Sequence, residues 1–408
     1  MIEEYLKFAI EGILHRRLRS WLTMVGIFIG IFAVVALISL GQGLQAYIDE
    51  QFEKVGGDRI LISPGGGFTI PIAAGLSSSK LTEDDLKVVK EVHGVYNAVG
   101  TLGGTVEGIF KEKQASLSVI SVPVDSESIK FLEEINYFKI EKGRFLREDD
   151  HYNVVIGAET HTKFNEKLSV GSKLTINGKI FEVVGITKKE GNPFHDRRII
   201  IPLKTGREIF GKEENNDEIS LIIAKVSKGY IPKDVAEDIK KKLRKHRSVK
   251  EGEEDFSVET SEKVVESFKN VVSIVQYLLV GIAAISLIVG GVGIMNTMYT
   301  SVLERTKQIG IMKSVGARNS DILSIFLMEA GLLGLVGGII GVILGMITSY
   351  GIEFILKASN IEFISIYISP ELIVGTLIFS FSIGCISGIL PARKASLMNP
   401  VDALRYHR

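Results

Sequence analysis

Four stretches of this chain contain no Asp, Glu, Lys or Arg: residues 20–48, 270–303, 330–352 and 372–392. Each supplies the roughly 20 apolar residues that a helix needs to cross the hydrocarbon core of a bilayer. A soluble protein would need a very large core to bury four such helices. A bilayer accepts them directly, because a helix satisfies its backbone polar groups internally. The sequence therefore predicts four transmembrane helices, over 20–48, 270–300, 321–352 and 371–392. The first follows Arg16, Arg17 and Arg19, as a signal peptide would. It is long for a cleaved apolar region, and a helix-like segment precedes it, which favours an uncleaved anchor.

Basic residues orient the spans. Arg16, Arg17 and Arg19 precede the first; Arg305, Lys307, Lys313 and Arg318 separate the second and third; Arg393, Lys394, Arg405 and Arg408 follow the fourth. Lys357 is the only basic residue in the link at 353–370. Both termini (the last being 393–408) and the turn at 301–320 are thus expected in the cytoplasm of a plasma (inner) membrane protein. The segment 49–269 and the short link are expected outside. Residues 1–19 read as an interfacial helix, with Ile2, Leu6, Ile10 and Ile13 at helical spacing. The run at 240–247, rich in Lys and Arg, reads as a solvated helix face, with an acidic lipid or partner as the alternative.

The outer segment alternates strand and helix signals, giving an α/β membrane protein whose extracytoplasmic α+β domain has β-α-β units around an inserted β-rich lobe at about 125–214. Strands are expected at 59–63, 153–157, 173–176, 179–186, 198–202, 220–226 and 255–260, and helices at 79–92 and 233–245. Thr82 is the expected cap of the first helix, with Glu83, Asp84 and Asp85 in its first turn. Asn177-Gly178 reads as a hairpin turn. Residues 96–124 are expected to form several strands broken by glycines, and Gly65-Gly66-Gly67 a flexible loop.

Catalytic machinery is not evident. There is no Gly-x-x-x-x-Gly-Lys-Ser/Thr phosphate loop, no nucleophile elbow and no His-Glu-x-x-His. The single Cys385 can form no intrachain disulfide and no Cys-based metal site. Paired acids such as Asp149-Asp150 suit a solvated loop. A formal net charge of zero over 408 residues gives no reason to expect nucleic acid. No cofactor is expected in the chain itself. Glu329 is the one intramembrane candidate, read as an interfacial anchor or as the partner of an Arg. The spans are rich in small residues at four-residue spacing: Gly26 with Gly30, Gly334 with Gly338, Gly337 with Gly341, Gly341 with Gly345, and Gly384 with Gly388. Such faces let helices approach closely in lipid.

The turn between the second and third spans carries Glu304-Arg305-Thr306-x-x-Ile309-Gly310-Ile311-x-Lys313-x-x-Gly316-Ala317-Arg318. Together with Arg19–Ile31, with Val154–Gly157 and Phe181–Gly185, and with Pro391-Ala392-Arg393-x-Ala395 and Pro400-Val401-Asp402-Ala403-Leu404-Arg405, it resembles permeases of the MacB-type ABC transporter superfamily, which includes lipoprotein-releasing and FtsX-like permeases. Gln308 stands where that family often has Glu.

The resemblance implies mechanotransmission. Two permease chains would pair, each docking a separate ABC ATPase that holds ATP and magnesium. Movement would pass through the membrane to the outer domain, which would work on cargo or an adaptor. Arg305, Lys307, Lys313 and Arg318 are then the expected polar contacts, Ile309 and Ile311 the apolar ones, with Glu304, Gly310 and Gly316 in the same segment. A membrane-anchored sensor or scaffold that works without ATP remains the alternative.

Overall fold

The computed structural model describes residues 17–65, 79–164, 166–211, 216–358 and 366–405. The expected interfacial helix at 1–16, most of the glycine-rich loop and the middle of the link at 353–370 lie outside them. The described chain divides into two compact units, which meet in sequence between Ala46 and Tyr47 and between Lys269 and Asn270.

Helix α1 (Arg17–Val55) carries residues of both units. The α/β unit then contains β1 (Arg59–Pro64), β2 (Leu81–Thr82), α2 (Glu83–Lys90), β3 (Val95–Phe110), β4 (Lys113–Val122), α3 (Ser126–Glu134), β5 (Ile140–Gly143), β6 (Asn153–Ile156), β7 (Lys173–Ile176), β8 (Lys179–Thr187), β9 (Ile199–Pro202), α4 (Leu203–Ile209), β10 (Glu218–Ile219), β11 (Leu221–Val226), α5 (Pro232–Arg247) and β12 (Phe256–Thr260).

Neighbouring strands run β12-β1-β11-β3-β4-β9-β6-β8-β5, and β7 pairs with both β3 and β8. At the first end, strand alternation serves two faces. Ile60, Ile62, Ala98, Ile222 and Ala224 pack with Val89 of α2 and with Val235 and Ile239 of α5. Val99 and Ile223 pack on the other face with Phe131 and Leu132 of α3. At the far end the pairings β3-β4-β9-β6-β8-β7-β3 close on themselves. The strands of the expected lobe at 125–214 therefore join β3 and β4, which precede it, in a small six-stranded barrel filled by Val106, Leu117, Val119, Ile156, Phe181 and Val183, among others. Closure removes exposed strand edges. Asn177 and Gly178 both adopt positive φ, 46° and 82°, as a two-residue hairpin turn requires.

Residues 96–124 differ from expectation. One strand of 16 residues, β3, runs through Gly100, Gly103, Gly104 and Gly108 without a break. The reason is tertiary: a β-carbon on Gly100 would strike Ile219, one on Gly104 Phe210, and one on Gly108 Leu117. These glycines make room for large side chains that pack across the strand. The basic run of α5 also differs from a merely solvated face. Lys242 pairs with Glu91, Arg244 with Glu251 and Glu254, and Arg247 with Asp85 and Asp255.

Asp150 likewise does more than decorate a loop. Arg144 donates to its two oxygens at 2.6 and 2.8 Å, and the Arg147 amide donates at 2.8 Å. The hydrogen bond from Arg144 holds its carboxyl below the usual carboxylate range. A depressed acid stabilises the fold above its unfolded pKa of about 3.9, and the contribution fades as pH falls through the folded value. Replacing Asp150 by Asn is expected to cost about 1 kcal/mol at pH 7, the bonds being partly open to solvent. Thermal unfolding of variant and parent should converge as the pH is lowered from about 4 through the depressed folded value.

The second unit is helical. Helices α6 (Ser261–Glu304), α7 (Thr306–Ser314), α8 (Asn319–Ala358), α9 (Pro370–Ser396) and α10 (Pro400–Arg405) follow in order. Among the described residues, four helices are long and apolar enough to cross a membrane: Val25–Glu53, Ser261–Glu304, Asn319–Ala358 and Pro370–Ser396. They extend beyond the uncharged stretches at most ends, because flanking charged residues continue the same helices outside the apolar core.

Within this unit the glycines set the spacing. A β-carbon on Gly26 of α1 would lie 2.6 Å from the α-carbon of Gly290 in α6, and one on Gly30 would strike Leu287. Gly341 and Gly345 of α8 face Ile31 and Val35 of α1 at 2.8 Å each, measured from such a β-carbon. Gly334 and Gly338 of α8 face Ser380 of α9, and Gly384 faces the Ala330 carbonyl in return. Backbones thus approach to distances that no larger residue permits, where close van der Waals contact holds helices together in lipid.

Candidate functional site

The turn between α6 and α8 is built from short-range chemistry. A single residue, Arg305, separates α6 from α7. The Thr306 hydroxyl donates to the Val302 and Leu303 carbonyls at 3.1 and 2.8 Å, partnering acceptors at the break. Helix α7 ends at Ser314, and the chain turns at Gly316, whose φ of +109° suits glycine. There the Ala317 amide donates to the Met312 carbonyl at 3.0 Å, closing the turn. Asp321 then accepts the Arg318 amide at 2.9 Å at the start of α8.

The residues singled out from the sequence divide into two groups. Ile309, expected as an apolar contact for a partner, is fully buried. It joins one apolar cluster with Val302 of α6, Ile322 and Phe326 of α8, and Ala392 and Ala395 of α9. Gly310 faces α10, where a β-carbon would come within 2.9 Å of that of Ala403. Lys313 donates to the Ser396 and Met398 carbonyls at 2.6 and 2.8 Å. Arg305 donates to Glu329 at 3.4 Å, and the Ser301 hydroxyl donates to the other oxygen of the same carboxylate at 3.4 Å. Glu329 is only 4% exposed, so its reading as an interfacial anchor gives way to that of a buried ion pair. The burial of Ile309 and the inward bonds of Arg305 and Lys313 come from packing between segments up to 85 residues apart.

Glu304, Lys307, Ile311 and Arg318 form the second group, and their side chains are exposed. Ile311 is 50% and Val315 86% exposed. Sequence reasoning passed over Val315; its signal is an apolar residue out of phase with the buried Ile309 on the helix. The turn therefore has an inner side locked into the bundle and an outer side of mixed apolar and basic character. Elsewhere, the α/β unit carries an open groove of 860 Å³ lined by Thr105, Glu107, Gln114, Ser116 and Phe210, among others. Glu107 is the one ionisable side chain in its lining, and a lone carboxylate makes no acid–base pair. Among the described residues, no three His, Cys, Asp or Glu side chains gather as a metal site.

The family model for the MacB-like periplasmic core domain matches residues 20–242, and that for the FtsX-like permease C-terminal region matches 280–400. An uncharacterized ABC transporter permease of Methanocaldococcus jannaschii is 40% identical over 99% of this chain and 98% of its own length. The chain belongs to the MacB/FtsX-like family of ABC transporter permeases. A permease of Bacillus subtilis, also uncharacterized, is 29% identical over 99% of both chains. The macrolide export ATP-binding/permease protein MacB of Neisseria gonorrhoeae is 31% identical over 98% of this chain, which spans 60% of that protein's length. The matched core-domain family places the α/β unit of this permease outside the cytoplasm, and the four long apolar helices make it a membrane protein.

Proposed function

We propose that this permease transmits ATP-driven movement of a separate ABC ATPase across the membrane to its outer domain, for export or extraction of a substrate. Both termini and the turn around α7 lie in the cytoplasm, as the basic residues favour. ATP and magnesium are held by the ATPase, and this chain is not itself catalytic. Two copies of the permease pair in the membrane. The observation that carries the reading is the two-sided α7: its inner side is fused to the bundle, while Lys307, Ile311, Val315 and Arg318 face outward. The relationship to a macrolide exporter favours a small molecule or peptide as cargo, delivered with or without an outer adaptor.

Co-purification in nanodiscs with ABC ATPases encoded in the same genome tests this. One ATPase is expected to bind the intact chain. The variant Lys307→Glu, Ile311→Asp should bind about tenfold more weakly or worse, the usual effect of removing an interface anchor. Failure of every ATPase to bind the intact chain would instead support an ATP-independent sensor.

A further inference from the structure

Of the cations around α7, Arg305 just before it and Lys313 in its last turn are turned inward, while Lys307 is exposed. Arg305 precedes the first residue of the helix and pairs with Glu329, ten residues into α8. Lys313 sits in its last turn and bonds two carbonyls where α9 ends. Between them Ile309 is sealed under residues of α6, α8 and α9. Gly310 admits α10 at close range. A peptide of nine residues has little helical stability of its own, so these attachments decide how α7 responds to load.

We infer that Arg305, paired with Glu329, and Lys313 are positioning residues: struts that bind α7 to α8 and α9, so that a load on α7 enters three spans together rather than only through its two links in sequence. Covalent continuity joins α7 only to α6 and, through the loop at Gly316, to α8. A load transmitted through α6 alone would be lost by bending at Arg305, where the helix is interrupted. The Glu329 pair spans that interruption. The Lys313 bonds connect the opposite end of α7 to α9, which has no short link to it in sequence. Charge-assisted bonds at 2.6 and 2.8 Å are of the stronger kind. The mechanical consequence rests on the coupling role proposed above; the rigidity does not.

The full chain in nanodiscs, without ATPase, serves for the first measurement. Hydrogen exchange of amides 306–314 should accelerate about tenfold or more in Lys313→Met and in Glu329→Gln, as expected when a local opening loses a charge-assisted bond. Lys313→Arg should retain most of the protection, and Lys307→Met should not change it. If Glu329→Gln fails to fold, Lys313→Met decides, because it removes no buried carboxylate and its lost partners are two carbonyls at the end of α9. Unchanged protection in Lys313→Met overturns the inference, whether or not an ATPase is found. The second measurement adds the ATPase that co-purifies. Lys313→Met should bind it with an affinity within about twofold of the parent while losing most of the ATP-driven change in distance between spin labels in the outer domain, since a positioning role leaves the docking face intact. Equal loss of affinity in Lys313→Met and in Lys307→Glu, with the helix still protected, would make Lys313 a partner contact and overturn the inference.

Discussion

Replacing Gly334 by Val is expected to prise α8 from α9 and to produce the largest loss of order in the membrane unit. A β-carbon at this position would run into the Ser380 carbonyl and lie 3.1 Å from the α-carbon of Gly384. Both obstacles are backbone atoms of a helix, so no rotamer change relieves them. Gly384 presents the same problem in reverse, against the Ala330 carbonyl and, at 3.1 Å, the α-carbon of Gly331. Overpacking costs typically about 1–3 kcal/mol, and backbone obstacles put this site at the upper end or above. In lipid the helices have no hydrophobic force to restore contact once packing is lost. The single Cys385 supplies the readout. Its thiol approaches the Leu327 carbonyl of α8 at 3.6 Å, and a β-carbon on the neighbouring Gly331 would lie 2.7 Å from the sulfur. Labelling by a membrane-permeant maleimide should be slow in the parent and about tenfold or more faster in Gly334→Val, as local opening exposes the thiol. Gly375→Val is the control: nothing lies within 4 Å of a β-carbon there, and the labelling rate should stay at the parental value.

The same position shows which parts of this molecule were legible in its sequence. Four uncharged stretches and four-residue glycine spacing pointed to close-packed helices, because lipid removes most alternatives to a helix. What the spacing could not supply was the facing partner: the face marked by Gly26 and Gly30 meets Gly290 and Leu287 of another helix. Glycines in β3 misled for a related reason. Read locally, Gly100, Gly104 and Gly108 break a strand; in three dimensions each admits a side chain from elsewhere. The barrel closure was hidden because β7 completes it with two residue pairs to β3. At the turn, the residue types marked the segment but not the direction in which each points. Lys307 and Lys313 are indistinguishable as cations. One is exposed, and the other reaches carbonyls 83 and 85 residues away. Local patterns therefore located the site, while long-range packing assigned its two sides.

The outer unit offers the second large effect, at Asp85. Its side chain is 2% exposed and serves two structures at once. As the third residue of α2 it accepts the Thr82 amide at 2.9 Å, while its own amide donates to the Thr82 hydroxyl at 3.3 Å, completing a capping box. It also accepts two bonds from the Arg247 guanidinium, each at 3.1 Å, which tie α2 to the end of α5. Asp85→Ala removes the side-chain half of the capping box and leaves Arg247, only 15% exposed, with Asp255 and the Lys80 carbonyl but without its most buried partner. Breaking a buried charge pair on one side costs about 3–5 kcal/mol. For a unit of this size that corresponds to a fall of about 10 °C in the unfolding temperature of the outer domain, measured in the full chain by hydrogen exchange on heating. Asp85→Asn keeps an acceptor for Thr82 and should fall by less, separating cap from charge. A shift of less than about 2 °C in Asp85→Ala would mean that Asp255 alone satisfies Arg247. Because α2 and α5 cover the same face of β1, β11 and the first half of β3, the loss should spread to β1, β11 and residues 95–101 of β3, and leave the closed barrel, which uses residues 102–110 of β3 and packs around its own core, protected.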